Sequence, residues 1–183
     1  MTVKEILLEA AALIGVEDKV KNYIEASKGD GEKETQVLLR CFNLVEDQLA
    51  IEYLPLKCEE TLSTETGAIY FKQLKKPIVR VMKVEDSFGN EIAYKLFPDY
   101  IKTAAGTVCV SYCYSPIEKT IGEESDFNAL VTKRTFAYGI AAEYCMACGL
   151  YEESAVWERK YKHSIEAAYR AQPSKTLASR RWV

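Results

Sequence analysis

The chain has 183 residues, 48% of them apolar and 28% charged, with a formal net charge of −3. That is the size and balance of one well-cored globular domain, or of one domain carrying a smaller insertion. No apolar run approaches the roughly 18 residues of a membrane span, and no signal-peptide series starts at Met1, so synthesis in a cytoplasm-like compartment is expected.

Residues 2–54 read as helical. Thr2 with Glu5 forms a capping box, and Val3, Ile6, Leu7, Ala10, Leu13 and Ile14 make an apolar stripe closed by Gly15. A short helix is predicted over 17–26. The loop 27–31 is polar and Gly-rich, and its Gly29-Asp30-Gly31 offers too few oxygens for a calcium site. A long helix over 35–53 follows, with Leu38, Phe42, Val45 and Leu49 on one side, and Leu54-Pro55 ends it.

From Leu56 to Tyr114 the period shortens to two. The clearest strand spans 107–115, with Val108, Val110, Tyr112 and Tyr114 on one face and Cys109, Ser111 and Cys113 on the other. Strands over 78–85 and 92–97 flank Asp86-Ser87-Phe88-Gly89-Asn90 and predict a hairpin. Shorter strands fall at 58–62, 69–71 and 100–102. Five or six short antiparallel strands predict a small sandwich or open barrel.

An acidic connector (Glu118, Glu123, Glu124, Asp126 against Lys119) leads into the most strongly patterned run, 127–172. Its first half sets Leu130, Ala137, Tyr138, Ala141, Tyr144, Cys145 and Cys148 on one helical face, with Ser125 or Asp126 as cap and Gly149 as left-handed stop. Its second half sets Ser154, Trp157, Tyr161, Ile165 and Ala168 in one stripe, with Tyr151, Ala155 and Tyr169 beside it, until Pro173. A two-residue break predicts an αα-hairpin, with Ala137, Gly139, Ala141, Ala142, Ala147 and Ala155 in its seam. Residues 173–183 hold Lys175, Arg180 and Arg181, no acid, and the large apolar Leu177 and Trp182. They bury too little to fold alone, and extended they reach on the order of 35 Å.

The expected class is therefore α+β. A helical body (N-terminal helices over 1–55 and a C-terminal αα-hairpin over 117–172) carries a small antiparallel β sandwich or barrel inserted at 56–116 and an extended C-terminal arm at 173–183. From Tyr151 onward seven Lys and Arg face four Glu, a balance of +3, so the first 150 residues carry −6. An acidic body is the wrong sign for a general nucleic-acid binder, while its cationic end suits an acidic partner.

Motifs for catalysis are wanting. His163 is the only histidine, on an exposed turn, and no nucleophile elbow, Walker loop, dinucleotide fingerprint or HExxH is present. Cys145-x-x-Cys148 has redox or zinc half-site spacing but lies at a helix C-terminus, where the dipole opposes a thiolate. The six cysteines read as reduced and mostly buried, with no cofactor or metal expected. Twelve tyrosines divide between core edge and interface; Trp157 reads as core and Trp182 as interface.

The series Tyr138, Ala141, Ala142, Tyr144, Gly149, Tyr151, Ala155, Trp157 and Tyr161, behind a long N-terminal helix and a β insertion and before an arginine-ending arm, resembles the head-to-tail adaptor (connector) proteins of tailed bacteriophages. The resemblance implies a non-enzymatic virion protein, made in the host cytoplasm, that forms a homo-oligomeric, dodecameric ring beneath the portal. Its partners would be the portal and tail proteins, with DNA passing through the channel without sequence-specific binding and no membrane involved. It maps portal binding onto Lys175, Leu177, Arg180, Arg181 and Trp182. Two other readings remain open from the residues: a nucleic-acid-binding regulator using the basic C-terminal end, and a thiol or zinc enzyme.

Overall fold

A computed structural model describes residues 1–26, 31–127 and 131–171. The helical body comprises α1 (Val3–Leu13), α2 (Glu17–Ala26), α3 (Glu32–Gln48, continued by a π-helical turn Leu49–Tyr53), α4 (Lys133–Ala147) and α5 (Tyr151–Ala171). Thr2 caps α1 by accepting from the Glu5 amide at 3.3 Å, and Gly15 takes φ +75° after its end. The α3 stripe Leu38, Phe42, Val45 and Leu49 is fully buried, and the chain leaves the helix at Leu54. Between them the body helices bury one apolar cluster, in which α4 is central and packs on α1, α3 and α5. Phe136 stacks on Phe42 (5.4 Å between ring centroids) and meets Phe127 edge-on. Each large side chain buried there contributes about 1.5–3 kcal/mol.

The insertion holds, among the described residues, six strands in two three-stranded antiparallel sheets. β1 (Leu56–Thr64), β6 (Gly106–Tyr114) and β3 (Ile78–Asp86) form one, in the order β1-β6-β3. β2 (Ala68–Tyr70), β5 (Tyr100–Lys102) and β4 (Lys95–Leu96) form the other, in the order β2-β5-β4. Both contribute to one apolar cluster, with Ile69 and Ile101 from the small sheet against Val81, Val84, Val108, Val110 and Tyr112 from the large one. Leu56 pairs with Tyr114, so the chain enters and leaves the unit on neighbouring strands. An insertion tethered this way leaves the body's own topology undisturbed. Thus the α+β class with an inserted small β unit stands.

Details differ from expectation. The predicted hairpin over 78–97 is cut short: beyond the Glu85–Glu91 bridge and the Ile92 amide to Val84 carbonyl bond (2.9 Å), Ile92 and Tyr94 pack on the β cluster. That burial carries the chain across to the small sheet, where β4 pairs with β5 instead of β3. Helix α4 starts at Lys133, capped by Thr132, whose hydroxyl accepts from the Thr135 amide at 3.2 Å. Ser125 and Asp126 do not cap it: the helix begins only after Thr132, the Ser125 hydroxyl donates to Glu46, and the Asp126 carboxylate is held by Lys119 and Lys76. Ala147 and Ala155 are exposed and lie outside the hairpin seam. Of the predicted seam residues Gly139 and Ala142 do lie in it, joined by Tyr161 and by Ser154, whose hydroxyl donates to the Ala142 carbonyl at 2.9 Å. Trp157 is half-buried at the hairpin's edge, stacked on Tyr138, and is not a core residue. Leu130 of the predicted stripe lies outside the described residues.

Candidate interaction surfaces

The predicted arm residues Lys175, Leu177, Arg180, Arg181 and Trp182 lie outside the described residues. What is described is the helix that leads to them. On α5, Lys162 binds Glu158 (2.6 Å) and Arg170 binds Glu166 (3.7 Å), each one helical turn away. Lys160 sits 4.2 Å over the Trp157 ring. His163 is exposed on the same helix. Much of the cationic charge on α5 is thus already partnered within the hairpin.

The body, the connector and the β unit meet at a buried carboxylate absent from the sequence-level candidates. Glu46 of α3 is 1% exposed. Its Oε1 accepts from the Ser125 hydroxyl (2.7 Å) and the Asp126 amide (3.0 Å), while Oε2 has no hydrogen-bond partner among the described residues. Burial pushes the Glu46 carboxyl above its usual range, against the pull of those two bonds. The neighbouring Asp126 goes the other way. Burial raises it, but the hydrogen bond and charge of Lys119 (3.0 Å), with Lys76 (3.5 Å) behind, leave it below its ordinary value. Asn43 clamps the connector by giving its side-chain amide to the Lys119 carbonyl (3.2 Å) and accepting the Lys119 amide (2.8 Å). The Ser115 hydroxyl donates to Asp47 at the strand exit. Beside this junction opens a cleft of about 640 Å³, rimmed by the exposed Leu44 and Ile117. A signal for Glu46 existed: it falls between Phe42 and Leu49 on the buried side of α3, an acid inside an apolar stripe.

Two further apolar features stand at opposite ends of β3. At one end, Ile51, Tyr53, Pro55, Val79 and Tyr169 line a groove of about 260 Å³ between the π-helical turn, the edge strand and the last described turns of α5. Register shifts in β3 fall at Val79 and Met82, and both are exposed. At the other end Phe88 projects from the turn after β3 and is 88% exposed.

The thiols are free, and three of six (Cys41, Cys113, Cys145) are buried. Burial pushes the Cys41 thiol up to about 12, and Cys145 is raised for the same reason. Cys148 is exposed at the end of α4, outside the expected mostly buried set. Among the described residues no group of three His, Cys, Asp or Glu side chains is placed to hold a metal ion, and no helix is long and apolar enough to cross a membrane. No known family model matches the chain, and a search of curated proteins finds no significant match.

Proposed function

We propose that the protein is a non-enzymatic head-to-tail adaptor of a tailed bacteriophage, a virion component that forms a ring below the portal and links capsid to tail around the DNA channel. The observation that carries this reading is the separation of apolar contact features. Phe88 stands at one end of the β unit, and the Ile51–Val79–Tyr169 groove lies where that unit meets the body. A link in an assembly needs neighbours on more than one side, and solvated apolar side chains of this kind are what such contacts bury. The polar junction at Glu46, Asn43 and Asp126 supports it further, since it ties the connector to the body, and Lys76 on Asp126 with Ser115 on Asp47 ties the β unit to both. In this reading Lys175, Leu177, Arg180, Arg181 and Trp182 dock on the portal. The test is deletion of residues 173–183. The shortened protein is expected to keep its fold and lose portal attachment; retained attachment would remove the role assigned to the arm.

A further inference from the structure

We propose that Phe88 of one copy inserts into the Ile51–Val79–Tyr169 groove of the next, making a head-to-tail contact between copies of this chain. The inference rests on the assembly reading above and names the contact that builds the ring.

Phe88 is presented, not merely left outside. The Asp86 side chain organises its turn: Oδ1 accepts from the amides of Phe88 (2.8 Å) and Asn90 (2.9 Å), and Oδ2 accepts from the Asn90 side chain (3.0 Å). Backbone bonds from Gly89 to Asp86 (3.1 Å) and from Asp86 to Asn90 (2.9 Å) close the loop, and Gly89 supplies the positive φ of +83°. A turn with this many internal bonds loses little freedom on binding, which suits an aromatic anchor.

The groove cannot be filled by the tip of its own chain. Val79 and Phe88 sit at the two ends of the nine-residue strand β3, which spans on the order of 25 Å. A contact joining two different patches of identical chains is heterologous, and it generates a ring if the rotation closes.

Charge selects the tip over the other candidate occupant. The groove's strand wall includes Arg80, with Glu52 as the groove's one acid, and the cross-strand row Lys57–Cys113–Arg80 adds the exposed cation Lys57 two strands away, outside the groove's lining. The tip carries Asp86 and Glu91 flanking Phe88. The sequence 173–183 has charged side chains of one sign only, Lys175, Arg180 and Arg181, and as an occupant would bring like charge to that wall.

The experiment uses two variants of the 183-residue chain at exposed positions, Phe88→Asp and Ile51→Asp, with unchanged far-UV circular dichroism as the folding control. Wild type is expected to self-associate on sedimentation at rising concentration, and each variant alone to do so about thirtyfold more weakly or worse. Mixed, one variant supplies an intact tip and the other an intact groove, so the mixture should form dimers and stop there. A wild type that stays monomeric up to its solubility limit, a Phe88→Asp protein that still assembles, or a mixture that stays monomeric would each overturn the contact. So would loss of assembly on deleting 173–183 while Phe88→Asp leaves it intact, since the arm would then be the occupant. Portal binding without tip-dependent assembly would sink this contact and leave the adaptor reading standing. Tip-dependent rings that ignore the portal would do the reverse.

Discussion

Gly139 offers the sharpest energetic test of the body's packing. Glycine inside a helix is normally a weakness, and replacing it with alanine gains about 1 kcal/mol. Here a Cβ at residue 139 would lie 2.9 Å and 3.1 Å from the two Cγ atoms of Val45 and 3.0 Å from Cε2 of Tyr161. All three distances are well inside the roughly 3.5–4.0 Å optimum for carbon contacts. Neither neighbour can step aside easily: Val45 is β-branched on a helix, and it and Tyr161 are almost fully buried. Overpacking of this kind costs about 1–3 kcal/mol, so the propensity gain is outweighed and Gly139→Ala is expected to lose about 1 kcal/mol net. In a domain of this size that lowers Tm by about 2–4 °C, and urea unfolding should show the same loss with an unchanged m-value. The double variant Val45→Ala/Gly139→Ala removes two of the three short contacts. It should show a favourable coupling of about 1 kcal/mol relative to the single changes. Gly149→Ala is a useful contrast, since no atom lies within 4 Å but φ is +77°, so its loss would come from backbone conformation alone. A Gly139→Ala protein more stable than wild type, with no coupling to Val45, would refute the close-packed seam.

The junction carboxylates should titrate in opposite senses. Glu46 has a raised pKa in the fold, so its contribution is fully present below the unfolded value and is lost as pH rises through the folded one. Glu46→Gln, which keeps an acceptor for Ser125 and Asp126, should therefore gain on wild type across that rise; parallel pH–stability curves would contradict this. Asp126 is depressed, so its contribution is present above the unfolded value and lost as pH falls through the folded one. Asp126→Asn should lose about 2 kcal/mol at neutral pH, a difference that disappears in acid. Thr132→Ala should lose about 1 kcal/mol by removing the α4 cap, measured by denaturant midpoint. A charged disulfide reagent should label Cys148 first and Cys41 last in the native protein, with all six thiols reacting only after denaturation.

Periodicity exposed most of the architecture because the stripes are one-sided. Val3, Ile6, Leu7 and Ala10 on α1, and Leu38, Phe42, Val45 and Leu49 on α3, are buried as their spacing demands, and the predicted bounds of α2 and β5 are those observed. Where tertiary contacts compete with local ones, local pattern and structure part. Ser125 and Asp126 are good caps by type, yet tertiary contacts hold their side chains, Glu46 that of Ser125 and Lys119 with Lys76 that of Asp126, and Thr132 caps α4 instead. Similarly, Ile92 and Tyr94 look like hairpin strand, but the cluster shared by the two sheets pulls them across. The α4 pattern marks a single face, whereas a helix packed on three others buries side chains on most of its sides. The surfaces at Phe88 and at Ile51, Val79 and Tyr169 had no local signature. Exposure of an apolar side chain is decided by what folds over it, and no period records that.

The most direct test of the adaptor proposal is the mass in solution by light scattering, for the 183-residue protein alone and after mixing with the portal protein that the proposal makes its partner. The adaptor account predicts a stoichiometric ring complex with the portal that is lost when residues 173–183 are removed. A protein that leaves the portal's mass unchanged at every ratio would contradict it.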